Sequence, residues 1–105
     1  MFFAGLIERL GIAAEVNAKA TIIPQGFTAE LAARGEVALA VQQVSELMAV
    51  PGVEVVGALP AEINTCAVFS AALFEGAGEP AARFLGWLAA ALTPEALRGG
   101  GLEPA

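Results

Sequence analysis

The sequence contains no histidine, no tyrosine and no aspartate, and it has one lysine and one cysteine. Without histidine, the commonest general base and metal ligand is missing, and the hydroxyls of Thr28, Ser45 and Ser70 have no imidazole to activate them. Neither a GxxxxGK[ST] phosphate loop nor a strand-linked GxGxxG motif occurs. Most of the eleven glutamates fall at helix ends or on polar faces. We therefore expect no enzyme, no cofactor and no metal site.

Basic residues are also scarce, because five lysines and arginines stand against eleven glutamates and leave a net charge of −6. Nucleic acids and anionic membrane surfaces both attract basic surfaces, so neither partner is expected. No apolar stretch approaches the roughly 18–20 residues of a membrane span, so we expect no membrane insertion. The N-terminal stretch MFFAGLIERLG lacks the basic start of a secretory signal, which predicts a cytoplasmic location for the chain as written.

Apolar residues, by contrast, are abundant. They make up 57% of the 105 residues, and charged residues make up 15%. A domain of this size cannot bury so much apolar surface by itself, so a partner surface is expected. The single cysteine, Cys66, excludes an internal disulfide, and its apolar surroundings NTCAVFSAALF predict a buried, unreactive thiol.

The order of apolar runs and turn residues predicts that helices alternate with strands. Helices are predicted at about 2–10, 28–34, 43–49 and 80–92, with a further short helix that begins at Thr93-Pro94. Strands are predicted at 19–23, 37–41, 53–56 and 63–74. This alternation predicts an α/β fold in which helices flank a small, mostly parallel sheet. We expect a single domain over 1–105, with an α/β core at about 1–75 and C-terminal helices at 79–101.

Polar residues follow two of the predicted strands at the points where helices begin. The turn PQGFT leads into helix 28–34, whose N-terminus offers free backbone N–H groups. In open α/β sheets the ligand crevice lies at the carboxyl ends of the strands. The residues on this rim are Gly26, Phe27, Thr28, Gln42, Gln43 and Ser45. Two interpretations stay open: a site for a small anion or polar solute, or ordinary polar strand ends.

Three stretches carry a resemblance to a known family: FFAGLIERLGI, RGEVALAVQQVSELMAVPGVEVVGALPAEI, and FSAAL followed by EPAARFLGWLAAALTPEALRGGGLEPA. They resemble the bacterial extracellular solute-binding proteins of the molybdate-binding type, which are periplasmic components of ABC transporters with the type 2 periplasmic-binding fold. The resemblance covers nearly the whole chain. It implies that the chain is similar to the second of two lobes, followed by helices that return to the first lobe.

The resemblance also implies roles for particular residues. By position, Gly26, Phe27 and Thr28 would offer backbone donors to the ligand. Gln43 stands where molybdate binders typically have a tyrosine, and Ala40 stands where the family usually has glycine. The implied function is non-catalytic solute binding for transport, and the implied location is the periplasm.

Helix 80–92 is apolar nearly all round, and Arg83 is its one charged residue. Burial of each large apolar side chain is worth roughly 1.5–3 kcal/mol, so several exposed together would drive association. We expect a homodimer or larger assembly, with Phe84, Trp87 and Leu88 at the interface, and exchange of this helix between chains is one route to it. The alternative to solute binding is thus a self-associating α/β interaction module without a ligand.

Overall fold

The computed structural model describes residues 2–105, and its regular secondary structure there consists of six helices. They are α1 (Phe2–Arg9), α2 (Ala13–Asn17), α3 (Ala29–Ala33), α4 (Val44–Met48), α5 (Glu79–Ala91) and α6 (Pro94–Gly99). Across residues 2–105 no residue lies in a β-strand. The predicted α/β fold with a mostly parallel sheet is therefore wrong.

The four segments predicted as strands are irregular, because no ladder of backbone hydrogen bonds forms between them. A strand is stable when its backbone N–H and C=O groups bond to an adjacent strand. Within the described chain, no backbone hydrogen bond joins 37–41, 53–56 and 63–74 to one another. Alternating apolar side chains show which residues favour burial, but they do not supply the partner that a ladder of hydrogen bonds requires.

The N-terminal helices form the small core of the molecule. Leu6 and Ile7 lie on one face of α1 and are buried, and α1 packs against α2. The turn between them follows from Gly11, which has φ +71° and donates its N–H to the carbonyl of Glu8 at 3.0 Å. A glycine in this left-handed conformation commonly ends a helix, because other residues pay a steric cost there.

Most of the chain is open. Leu6, Ile7 and Ala29 are the described hydrophobic residues that are buried, and the chain exposes 8342 Å². A folded monomer of 10.6 kDa exposes about 5,500 Å² by the usual size scaling. The radius of gyration is 17.5 Å, against about 13 Å for a compact domain of this length. The molecule is elongated, with extents of 53 × 30 × 26 Å.

The segment 63–74 shows this openness most clearly. Val68, Phe69 and Phe74 are exposed. Cys66 is exposed as well, so the prediction of a buried thiol is wrong. The apolar run would bury this thiol only if another element packed on it, and among the described residues none does. None of the described helices is long and apolar enough to cross a membrane.

Candidate functional site

The side chain of Gln42 joins the turn before α3 to the segment before α4. Its Oε1 accepts hydrogen bonds from the backbone N–H of Thr28 at 2.7 Å and from the Thr28 hydroxyl at 3.0 Å. Its Nε2 donates to the backbone carbonyl of Gly26 at 3.2 Å. We call these three residues the Thr28–Gln42 cluster. It is built from neutral donors and acceptors, and Gln42 and Thr28 are both half-buried.

Local sequence explains why the cluster forms. Gly26 has φ +89°, a conformation that glycine adopts without strain and that lets the chain turn sharply into α3. Thr28 is the residue before α3, but its side chain makes no capping bond to its own helix. Its hydroxyl instead lies 3.0 Å from Gln42 Oε1 and 3.4 Å from the carbonyl oxygen of Val41. The structure therefore places the turn and residues 41–42 together.

The other three predicted site residues form no hydrogen bond with this cluster in the described structure. Phe27 lines a neighbouring cleft of about 330 Å³. Gln43 is exposed and precedes α4 without a side-chain capping bond. Ser45 is half-buried under the C-terminal segment, where a Cβ built on Gly101 would lie 3.0 Å from the Ser45 backbone nitrogen. Hydrogen bonds thus join Gly26, Thr28 and Gln42 but not the remaining three.

The cleft beside Phe27 contains a residue that sequence reasoning missed. Arg34 lines it, together with Glu30 and the turn at 49–51. A hydrogen bond from Arg34, and then its positive charge, lower the pKa of the Glu36 carboxyl, and the same pair raises the pKa of Arg34. The signal was available, because seven residues separate Phe27 from Arg34 and two helical turns bring such positions to one face.

A second cleft, of about 370 Å³, lies between two of the apolar runs that were predicted as strands. Residues 37–40 and 52–57 line it, with Ala29, Ala32 and Leu47 from α3 and α4. Glu54 is the one charged residue in this lining. The cleft offers an apolar surface and few hydrogen-bonding side chains, so it suits an apolar group better than a charged solute.

The predicted interface residues lie on α5. Phe84 is 60% exposed and Trp87 is 64% exposed, and their rings stack with centroids 6.0 Å apart. Leu88 is half-buried, and no residue of α5 is fully buried. The structure thus presents an ordered aromatic pair on an uncovered helix.

A curated relative matches most of the chain. The chain is 37% identical over 101 residues to a protein named aconitate isomerase from Pseudomonas sp. The match takes in 94% of this chain and 38% of that protein, so the chain spans well under half of its relative's length. No solved structure matches the chain.

This relative overturns the prediction that the chain is not an enzyme, because the relative is named as an isomerase. The prediction rested on the side chains of 105 residues, which lack histidine, tyrosine and aspartate. A catalytic site can combine groups from a much longer chain, and glutamate also serves as a general acid or base. The absence of these residue types therefore did not exclude catalysis.

A family model described as bacterial extracellular solute-binding protein matches residues 3–103. That range contains every element from α1 to α6 apart from the first residue of α1. It also contains the Thr28–Gln42 cluster, both clefts and the aromatic pair on α5. The match confirms the family-level resemblance, and the chain belongs to the bacterial extracellular solute-binding protein family.

Proposed function

We propose that this chain supplies part of a binding site for a small organic carboxylate, and that the Thr28–Gln42 cluster contacts the ligand. Membership of a solute-binding family supports a small solute as the ligand. The name of the isomerase relative supports a carboxylate, because aconitate is a tricarboxylate. On this proposal the polar residues at 26–28 and 42 form a ligand rim and are not merely ordinary turn residues.

The observation that carries the proposal is the convergence of two donors on one oxygen. The backbone N–H and the hydroxyl of Thr28 both point at Gln42 Oε1, at 2.7 and 3.0 Å. A carboxylate oxygen accepts the same pair of hydrogen bonds, and bonds to an ionised acceptor are stronger than those to a neutral amide. A ligand oxygen can therefore take the place of Oε1 when the Gln42 side chain rotates away.

Rotation of Gln42 also frees a donor for the ligand. Its Nε2 donates to the Gly26 carbonyl in the structure, and after rotation it can donate to the second carboxylate oxygen. The cluster would then supply three donors to one carboxylate. Recognition of the ligand by uncharged donors suits this chain, because three of its basic residues already form ion pairs with glutamates. These residues are Lys19, Arg34 and Arg98.

Molybdate is the competing ligand, because the molybdate-binding type is the subfamily that the sequence resembles. It is a compact oxyanion that would accept hydrogen bonds from the same donors. Gln43 weighs against it, since that residue is exposed and stands where molybdate binders typically have a tyrosine. We therefore place molybdate second to an organic carboxylate.

A second candidate function is isomerisation of an unsaturated tricarboxylate, favoured by the 37% identity to the isomerase. In this case the cluster would hold one carboxylate of the substrate. Glu30 is one candidate for an acid–base group, because it lines the cleft beside Phe27. The reaction interconverts isomers and therefore needs no second substrate.

Calorimetric titration of the chain with aconitate, molybdate and sulfate tests the binding proposal. Because a hydrogen bond to a charged group is worth about 1.5–3 kcal/mol, Thr28→Val should weaken aconitate binding roughly 10- to 100-fold. Gln25→Ala is the matched control, since Gln25 lies in the same turn, is exposed and has no side-chain hydrogen bond in the described structure. Equal affinity in all variants would overturn the proposed site.

The same samples separate binding from catalysis. Proton NMR of aconitate incubated with the chain shows whether one isomer is converted into the other. Conversion that Glu30→Gln abolishes, with binding retained, would favour the isomerase function. Binding of aconitate without conversion would leave solute binding as the function of this chain, and tighter binding of molybdate would replace the carboxylate as the ligand.

A further inference from the structure

We propose that Arg34 binds a second carboxylate of the ligand in the cleft beside Phe27, and that it makes the site selective for di- and tricarboxylates. This inference rests on the proposed function, because it takes the Thr28–Gln42 cluster as the site of the first carboxylate. The cluster accounts for one carboxylate, whereas a tricarboxylate such as aconitate has three. A second anchor is therefore needed to distinguish such a ligand from a simple monocarboxylate.

The cleft lies directly beside the cluster. Phe27 lines this cleft of about 330 Å³, and in the sequence it stands between Gly26 and Thr28 of the cluster. Most of the other lining residues are apolar, and they come from α3 and from the turn at 49–51. A few polar groups within an apolar lining are the usual means by which a pocket fixes the orientation of a small ligand.

Arg34 lines this cleft from the far end of α3. It follows the helix directly, and its backbone stays in the helical region with φ −85° and ψ −1°. Helical side chains lean toward the N-terminus of their helix, which for α3 is the end where Thr28 lies. Arg34 is six residues after Thr28, which is about 9 Å along the helix axis. A long arginine side chain that leans back shortens this distance to one that a small polycarboxylate can span.

The charges of the cleft favour a carboxylate at the Arg34 end. Among the described lining residues, Arg34 is the one basic group and Glu30 is the one acidic group. Glu30 repels a second carboxylate, so an anionic group in the cleft lies near the guanidinium. Arginine suits this role because its planar guanidinium binds both oxygens of a carboxylate through two parallel hydrogen bonds.

Glu36 competes with the ligand for Arg34. The Nε of Arg34 donates to Glu36 Oε1, and the two side chains are 54% and 53% exposed. Exposed ion pairs contribute little, because water screens the charges and two long side chains lose freedom. A ligand that the cluster already holds has a high effective concentration at Arg34. Its second carboxylate can therefore displace Glu36.

Calorimetric titration with aconitate and NMR titration with crotonate, an unsaturated monocarboxylate, test the proposal. Arg34→Gln should weaken aconitate binding at least tenfold, because it removes a charge-assisted bidentate contact. It should change crotonate binding less than twofold, because crotonate has no second carboxylate. Retained binding of crotonate also shows that the variant is folded and that its Thr28–Gln42 cluster is intact.

Glu36→Gln tests the displacement. Removal of the competing carboxylate should tighten aconitate binding about two- to fivefold, the range expected for loss of an exposed ion pair. Crotonate binding should stay unchanged. The double variant with Arg34→Gln and Glu36→Gln should bind aconitate as Arg34→Gln alone does, because Glu36 acts on the ligand only through Arg34.

Arg98→Gln and Glu103→Gln are the matched controls. Arg98 and Glu103 form a second exposed ion pair, with Nε and Oε2 3.6 Å apart, and neither residue lines the two clefts. These variants change the net charge of the chain by the same amounts as the Arg34 and Glu36 variants. Each should change aconitate affinity less than twofold, which separates a contact in the cleft from an effect of overall charge.

Several results would overturn the role of Arg34. An aconitate affinity that Thr28→Val weakens but Arg34→Gln does not would remove this role and keep the proposed function. Equal losses for aconitate and crotonate in Arg34→Gln would mean that Arg34 does not read a second carboxylate. An equal loss in Arg98→Gln would assign the effect to overall charge, and aconitate binding that Glu36→Gln fails to tighten would exclude displacement. Failure of the parent chain to bind aconitate would overturn the proposed function as well.

Discussion

The first half of the chain and the second half differ in packing rather than in composition. The first region, residues 2–50, contains every buried residue of the described chain, namely Leu6, Ile7 and Ala29. The second region, residues 53–105, has no buried residue, although it contains α5, the longest helix. Local helix formation therefore does not by itself make a core, which needs segments that return to one another.

In the first region, turns bring segments of the chain back into contact with one another. Gly11 ends α1 so that α2 can pack against it, and Gln42 bonds back to the turn before α3. In the second region, no hydrogen bond joins the long segment 63–74 to a described segment distant in sequence. Near the C-terminus, Gly101 lies against α4 of the first region, since a Cβ there would meet Met48 and Ser45. The difference lies in whether the chain folds back.

The largest effect should come from truncation of a buried side chain in the first region. Leu6 is 3% exposed, so Leu6→Ala should lower the free energy of unfolding by about 2–5 kcal/mol through lost burial and the cavity left behind. Leu73 is 45% exposed and lies in the second region, so Leu73→Ala should cost less than about 1 kcal/mol. Urea unfolding monitored by circular dichroism measures both changes.

Equal losses for the two leucine variants would contradict the comparison. They would mean that Leu73 is covered in solution by a partner, since an exposed leucine has little burial to lose. Repeating the titration at a lower protein concentration separates these cases. A cost at Leu73 that falls on dilution would come from association, and a cost that stays would come from the fold of the single chain.

Helices were predictable from the sequence, and the sheet was not. The predicted helices at about 2–10, 28–34, 43–49 and 80–92 match α1, α3, α4 and α5 within one or two residues. Their apolar spacing, glycine ends and Pro80 are local signals that act within a few residues. Helix α2 was missed because Val16 is the one large apolar residue in its five positions. Strands need partners distant in sequence, and local patterns do not supply them.

The sequence predicted part of the Thr28–Gln42 cluster. The sequence predicted that the turn at 26–28 and the residues at 42–43 lie on one rim, at the edge of a sheet that the chain does not form. The side chain of Gln42 brings the two segments together instead, by direct bonds to Thr28 and Gly26. The contact depends on a single side-chain rotamer, which no periodicity reveals. The ligand-binding role of these residues and the interface role of Phe84 stay predictions.

An intermediate effect should come from Gly101, which lies where the C-terminal segment meets α4 of the first region. Gly101 has φ +74°, and a Cβ there would lie 2.7 Å from Met48 Sδ and 3.0 Å from the backbone of Ser45. Gly76 has φ +79° but open space around it. Both glycine-to-alanine changes should lower the free energy of unfolding by about 1–2 kcal/mol, because alanine is strained in the left-handed conformation. Gly101→Ala should add about 1–3 kcal/mol for the overlap.

The extra cost at Gly101 tests whether the second region is tied to α4. Thermal unfolding of the two variants gives the comparison directly, because the conformational cost is shared and cancels. If Gly101→Ala and Gly76→Ala lowered the melting temperature equally, the C-terminal segment would not lie against Ser45 in solution. The C-terminal segment would then be independent of α4.

The smallest effect should come from the ion pair between Arg34 and Glu36, an exposed interaction of the first region. The hydrogen bond and charge of Arg34 lower the pKa of Glu36 below its ordinary value of 4.5. A carboxyl with a lowered folded-state pKa adds stability that is present above the unfolded pKa and is lost as pH falls through the folded one. Both side chains are solvent-exposed, so the contribution is small and weakened by salt.

Glu36→Gln removes the carboxylate. The melting temperature of the variant should therefore fall slightly less than that of the parent as pH falls from about 7 to about 3. Glu54→Gln in the second region is the matched control, because Glu54 forms no ion pair within the described chain. High salt should reduce the difference between the Glu36 variant and the parent. An unchanged pH dependence at low salt would mean that Arg34 does not hold Glu36 in solution. Arg34 would then be free to contact a ligand in the cleft beside Phe27, which aconitate titration of Arg34→Gln would detect as weaker binding.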